Sequence, residues 1–268
     1  MFKTHPDSMR MESTPERVFA VARAVAYRSI TPAELAEAMS LGKPGEAVGN
    51  EIRLSIAVAS EELGLISLKD GRYVLSAPKE AIVSPDAFRR SISGKAFVNP
   101  DSTFVRFSRW YVAQNEGILN QDSWEVKAKT AAGDVSALRG LDENAALGWR
   151  FWAAFLGLGY LDGATLLPNM ATRLRDILSA DFAGTFSYGE AVSVTKFRLW
   201  LASRLPEADF SDVSAPWPLA VSAGLRTLRD LGLIQLEARR DTDRVSLYPD
   251  GDPLTDFSHI TVREEVKR

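Results

Sequence analysis

Leu228-Arg229-Asp230-Leu231-Gly232-Leu233-Ile234-Gln235-Leu236 reads as a helix that ends at a glycine and continues directly into an extended apolar run. Glycine just past a helix end adopts the left-handed conformation without the Cβ clash that other residues meet. The alternating residues after it suit a strand packed on the preceding helix. The pattern occurs twice more, as Ser60-Glu61-Glu62-Leu63-Gly64-Leu65-Ile66-Ser67-Leu68 and as Ala153-Ala154-Phe155-Leu156-Gly157-Leu158-Gly159-Tyr160-Leu161. Three copies of one local signature in 268 residues predict a repeated small module.

Around the first copy the chain reads as a complete module. Thr14-Pro15 carries N-cap and first-turn chemistry for a helix with Val18, Val21, Ala22, Val25 and Ala26 on one face. Thr31-Pro32-Ala33-Glu34 is a capping box that opens a short helix through Leu35 and Met39. A glycine-rich loop, Gly42 to Gly49, leads to a third helix over Glu51–Leu63, with Ile52, Ile56, Ala59 and Leu63 on one side. Leu65–Leu68 and Tyr73-Val74-Leu75 flank Lys69-Asp70-Gly71-Arg72, and Asp70-Gly71 is a strong tight-turn dipeptide, so a hairpin is predicted. Helix, short helix, helix, hairpin is the order of a winged helix-turn-helix.

The last copy follows helices predicted over Met170–Leu178, Thr195–Leu205 and Leu219–Leu231, with a long connection from Pro206 to Pro218. Its expected hairpin pairs Leu233–Leu236 with Val245-Ser246-Leu247-Tyr248 across Glu237–Arg244. Residues 81–165 read as helical, with aromatic helices over Phe104–Val112 and Trp149–Leu156 and turns or caps at Ser84-Pro85-Asp86 and Asn99-Pro100-Asp101. The middle glycine copy has no evident hairpin after it, because Leu166-Leu167-Pro168 leads into the next helix. The expected fold class is therefore mainly α with small β-hairpins (α+β). It comprises winged-helix modules at 1–80 and 166–268 flanking a central module at 81–165, which is helical or a degenerate third winged helix. No low-complexity linker separates them, which predicts a compact array.

Composition bounds the chemistry. Hydrophobic residues make up 46% and charged residues 25%, with 32 basic against 35 acidic side chains and a net charge of −3. Residues 1–80 carry 10 basic against 11 acidic, 81–172 carry 9 against 9, and 173–268 carry 13 against 15. No part is cationic overall, so a nucleic-acid surface must come from local clustering. The absence of cysteine excludes disulfides, thiolate nucleophiles, zinc ribbons and iron–sulfur clusters. Only His5 and His259 are available for histidine chemistry, and His259 reads as a structural or strand-end residue. The first twenty residues hold no long apolar stretch and no eighteen-residue apolar run exists, so neither a secretory signal nor a membrane span is expected, and a cytoplasmic location fits.

Catalytic motifs are few. Gly42-Lys43 is followed by Pro44, which lacks the hydroxyl of a phosphate loop, and Gly157-Leu158-Gly159 lacks the third glycine of a dinucleotide turn. No Gly-x-Ser-x-Gly elbow or His-Glu-x-x-His string occurs. Pro100-Asp101 with Glu125-Val126-Lys127 echoes a Mg²⁺ nuclease, in which Asp101 and Glu125 would hold the metal and Lys127 would position water. That chemistry needs both halves on adjacent strands, whereas the surroundings read helical. No catalytic residue, metal or cofactor is assigned.

Clustered arginine is the remaining signal. The third helix of the first module carries Glu51, Glu61 and Glu62 against Arg53, which repels phosphate and points to protein contact or packing. In the last module, Arg226 and Arg229 are three apart on one helix face, and Arg239, Arg240 and Arg244 fall near the hairpin tip, among Asp230, Glu237, Asp241 and Asp243. These five arginines are the candidate nucleic-acid residues. A second set, Arg89, Arg90, Lys95, Arg106 and Arg109, lies among Phe97, Phe104, Phe107 and Trp110. The aromatics either form a stacking groove for a single strand or, from the i, i+3, i+4 spacing of Phe104, Phe107 and Tyr111, face a core.

Four strings, Arg109-Trp110-Tyr111-Val112-Ala113-Gln114-Asn115, Trp149-Arg150-Phe151-Trp152 with the residues through Gly159, Leu166-Leu167-Pro168, and Ser258-His259-Ile260, resemble the DpdG family. DpdG proteins belong to the bacterial Dpd clusters, which place 7-deazaguanine derivatives in DNA and include restriction-type genes. The resemblance carries no catalytic residues. It implies a cytoplasmic accessory of a DNA-modification or phage-defence system, working beside larger proteins such as a helicase or nuclease. The expectation is a non-enzymatic winged-helix adaptor with DNA as a second ligand. The alternatives are a winged-helix transcriptional regulator and the Mg²⁺ nuclease.

Overall fold

A computed structural model describes residues 9–40, 49–121 and 123–267. His5 and most of the glycine-rich loop from Gly42 lie outside the described residues. The chain is mixed α/β, about 54% helical, with small antiparallel sheets. No helix among the described residues is long and apolar enough to cross a membrane. Contacts group the chain into two units, Met1–Arg106 with Ser123–Phe155, and Phe107–Asp122 with Leu156–Arg268.

The first unit begins with α1 (Pro15–Tyr27), α2 (Pro32–Met39) and α3 (Asn50–Ala57). The Thr14 side chain accepts from Arg17 N–H at the start of α1. At α2, Thr31 and Glu34 close the reciprocal capping box read from the sequence. The predicted third helix is α-helical only through Ala57 and finishes as a π-helical turn over Val58–Glu62. β1 (Ile66–Lys69) then pairs antiparallel with β2 (Arg72–Leu75). Asp70 and Gly71 have φ of 49° and 74°, the sign pattern of a type I′ turn. Ile30 exchanges both backbone hydrogen bonds with Tyr73, at 3.1 and 2.7 Å, so β2 lies between Ile30 and β1.

Beyond the hairpin come α4 (Pro85–Phe97), α5 (Thr103–Ala113), α6 (Trp124–Asp134) and α7 (Glu143–Phe155). Ser84 and Ser123 cap α4 and α6. The core of this unit is aromatic. Phe88 stands 5.3 Å from Phe19 and 5.6 Å from Phe155, and Trp124 stands 6.0 Å from Trp149. Trp152 is fully buried and donates its indole N–H to Ser13 O at 2.8 Å, which satisfies the ring's polar edge.

The second unit holds β3 (Gly159–Asp162), β4 (Thr165–Pro168), α8 (Ala171–Asp181), β5 (Ala191–Ser193), α9 (Val194–Ala202), α10 (Leu219–Asp230), β6 (Ile234–Glu237), β7 (Val245–Ser246), β8 (Asp256–Phe257) and β9 (His259–Val262). Two strand expectations are corrected here. The middle glycine copy does lead into a hairpin, β3 with β4. Its turn is Gly163-Ala164 rather than an Asn-Gly or Asp-Gly pair, with φ of 55° at Gly163, and Pro168 closes the second strand. In the last module β6 does not pair with residues 245–248. It pairs with β9, which lies centrally in the order β5-β9-β6, while β7 pairs with β8. β9 takes the central place because Ile260 and Val262 are fully buried and match Leu236 and Ile234 across the ladder.

Helices α8 and α10 pack closely at Gly224, where an added Cβ would lie 2.8 Å from the backbone nitrogen of Ala171. Phe182, Phe197, Trp200, Trp217 and Phe257 form a chain of ring contacts from 5.5 to 6.2 Å. Each such pair contributes about 0.5–1.5 kcal/mol beyond its area burial.

Candidate nucleic-acid interface

Helix α10 follows Trp217-Pro218 and sits where the sequence reading placed the arginine cluster. It is buried on most sides, and among its residues only Asp230 is well exposed. The cover comes partly from residues 247–254. Tyr248 N–H donates to Ser222 Oγ at 2.9 Å, which anchors this strap to the start of α10. Arg226 is 5% exposed. Its guanidinium donates to Tyr248 O at 2.9 Å, Asp250 Oδ2 at 2.8 Å and Leu254 O at 3.1 Å. Arg229 makes a two-point pair with Asp252, at 3.0 and 2.7 Å, and also donates to Asp230.

The charges hold one another strongly. The Arg229 guanidinium and the Leu254 N–H hold the Asp252 carboxyl down at about 2. Asp252 in turn raises the pKa of Arg229. The reading of Arg226 and Arg229 as an outward phosphate-binding pair is therefore corrected. They are i, i+3 on one face as expected, but that face is covered by an acidic segment twenty or more residues further on, which local charge counting cannot see.

The other three arginines lie outward. Arg239 pairs with Glu237 at 2.8 Å, and Arg244 pairs with Asp256 at 3.1 Å and donates to Arg239 O. Arg240 is exposed and has no partner among the described residues. Exposed pairs of this kind contribute only about 0–1 kcal/mol, so Arg239 and Arg244 can exchange a carboxylate for a phosphate at small cost.

The structure breaks up the second basic set. Phe97, Phe104, Phe107, Trp110 and Tyr111 are all buried, so of the two readings core packing holds and the stacking groove does not. Burial also raises the pKa of the Tyr111 hydroxyl, which donates to Leu166 O. Arg89 pairs with Asp86, Lys95 donates to Leu63 O, Arg106 pairs with Asp101 at 2.8 Å and Arg109 donates to Pro206 O at 2.8 Å. Arg90 is exposed without a partner among the described residues.

The nuclease-like residues lie on helices and turns, not on a strand pair. Asp101 is in the turn before α5 and faces Arg106, Glu125 is in the first turn of α6 and pairs with Lys129, and Lys127 is buried with its ammonium 5.3 Å from the Trp124 ring centre. Among the described residues no group of three His, Asp or Glu side chains is arranged to hold a metal ion. His259 lies in β9, with Nδ1 3.0 Å from Ser258 Oγ.

One feature was not legible in the sequence. A cavity of about 370 Å³ opens between α9 and the start of β7, lined by Thr195, Arg198, Asp243 and Arg244 over Val194 and Val245. Val194, Thr195 and Arg198 share a helix face, and Arg198 is half-buried with no partner among the described residues. Arg198 escapes a sequence scan because no second basic residue shares its face of α9. Its companion across the cavity, Arg244, belongs to another element.

Comparison of the chain with protein families, curated proteins and solved structures finds no match.

Proposed function

We propose that this chain is a non-enzymatic, tandem winged-helix adaptor that docks on a larger protein and touches nucleic acid through its outward arginines. The support is an order of elements that occurs twice. In the first unit it runs α1, Ile30, α2, α3, β1, β2, with β2 between Ile30 and β1. In the second it runs α8, β5, α9, α10, β6, β9, with β9 between β5 and β6. Helix, strand, helix, helix, strand, strand with the last strand central is the order of a winged helix.

The observation that carries the adaptor reading over the regulator is the cover on α10. A winged-helix regulator inserts its third helix into the major groove and needs that helix free to reach base edges. Here its arginines are held by Asp250 and Asp252. The nucleic-acid contact then falls to Arg239, Arg240 and Arg244, which suits weak, sequence-independent attachment to phosphates. The resemblance to the DpdG family supplies the setting, a cytoplasmic DNA-modification or phage-defence system with helicase or nuclease partners.

Two measurements test this. Fluorescence anisotropy with duplex DNA across a salt series should give weak binding, with Kd of about 10⁻⁴–10⁻⁶ M near physiological salt and no preference for its own promoter. Substituting Arg239, Arg240 and Arg244 together by glutamate should abolish it. Wild-type protein that ignores duplex even at low salt removes the nucleic-acid half, and strong promoter preference installs the regulator. Co-expression with the proteins encoded beside it should yield a stoichiometric complex, and a chain that always purifies alone removes the adaptor half.

A further inference from the structure

We infer that the cavity between α9 and the start of β7 is a seat for one phosphate group, with Arg198 and Arg244 as its two cations. This rests on the nucleic-acid half of the proposed function and deepens it by adding Arg198, which lies outside the arginine cluster read from the sequence, to Arg244, which belongs to it.

A phosphodiester or phosphate oxygen is best held by guanidinium donors assisted by a hydroxyl. Arg198 enters from the α9 wall and has no carboxylate or carbonyl partner among the described residues. Arg244 enters from the opposite wall, where one exposed pair with Asp256 and a bond to Arg239 O fix its plane without burying it. Thr195, one turn before Arg198, adds the hydroxyl. The floor is Val194 and Val245, both buried, and an apolar floor strengthens a charge pair formed above it.

Asp243 also lines this cavity, and its carboxylate opposes an incoming anion. Its carboxylate oxygen stands 3.4 Å from Thr195 Oγ1, a long contact. Among the described residues Asp243 forms no ion pair with Arg198 or Arg244, so it neutralises neither guanidinium. An incoming phosphate therefore meets Arg198 without displacing a bound carboxylate, and at Arg244 it exchanges with the exposed Asp256 pair.

The test uses full-length protein with two probes, inorganic phosphate and a fluorescein-labelled duplex, and two variants, Arg198→Ala and Asp243→Asn. Both positions lie at the surface rim of the cavity rather than in the core. Phosphate added against an ionic-strength-matched chloride series should move the Arg198 Nε–H resonance saturably. At low salt, Arg198→Ala should weaken duplex binding about fivefold to tenfold and lower the salt slope by about one, the signature of one lost phosphate contact. Asp243→Asn should tighten both phosphate and duplex, because it removes a repelling carboxylate from the cavity wall. Duplex binding unchanged in both variants, with no saturable phosphate response, overturns the seat and leaves the nucleic-acid reading standing. A saturable response with no duplex binding by the wild type keeps the seat for free phosphate and overturns the nucleic-acid reading. No response to either probe overturns both.

Discussion

Arg226 and Asp250 meet at 2.8 Å across 24 residues of sequence, the arginine side chain only 6% exposed and the aspartate side chain 32%. Asp250 thus sits in the strap that shields the helix from which the arginine rises. Truncating Arg226 to alanine should cost about 3–5 kcal/mol, because the strap loses its anchor and Asp250 and two strap carbonyls lose their donor. Asp250→Asn should cost much less, since Arg226 keeps Tyr248 O and Leu254 O. Chemical denaturation measures both. Equal costs would mean that the carboxylate alone holds the strap.

The neighbouring pair predicts an acid response. Asp252 has a folded-state pKa of about 2, below its ordinary 3.8, held there by Arg229. A lowered carboxyl pKa stabilises the fold above the unfolded value and loses that contribution as pH falls through the folded one. Stability of the second unit should therefore drop between about pH 4 and pH 2, and Asp252→Asn should flatten that stretch of the curve. Carboxyl carbon NMR gives the titration directly.

Glycine tolerance should separate the motif glycines by their surroundings. Gly71 has φ of 74° with nothing within 4 Å of an added Cβ, so Gly71→Ala should cost about 1–2 kcal/mol of backbone strain. Gly157 has φ of 83°, and an added Cβ would lie 2.5 Å from the Arg173 nitrogen. Gly157→Ala should therefore cost about 1–3 kcal/mol more. Equal melting temperatures for the two variants would contradict the close approach.

Arg173 and Glu207 form a buried pair at 2.7 Å, their side chains 6% and 0% exposed, and Glu207 Oε2 has no hydrogen-bond partner among the described residues. Arg173→Ala strands a buried carboxylate and should cost about 3–5 kcal/mol. Replacing both at once, Arg173→Met with Glu207→Leu, should cost less than Arg173→Ala alone, because the buried Glu207 carboxylate is removed together with its cation. A double-mutant cycle by urea denaturation decides it.

The features that follow from amino-acid order alone are local. The caps at Thr14, Thr31 and Ser84, the left-handed glycines 64, 157 and 232, and the Asp70-Gly71 turn each depend on residues within about four positions, where backbone sterics and capping hydrogen bonds act. The aromatic spacing at Phe104, Phe107 and Tyr111 already contained its core-facing reading, and burial selected it over the stacking groove. Which strand lies beside β6 depends on three-dimensional packing, because burial of Ile260 and Val262 in the middle of a sheet outweighs nearness in sequence. That packing also decides which arginines are outward. Arg226 and Arg229 look cationic in their own helix, yet Asp250 and Asp252 neutralise them. Arg198 looks isolated and yet faces Arg244 across a cavity. Charge acts through space rather than along the chain, so the electrostatic character of this protein's surface became legible only once distant residues were brought together.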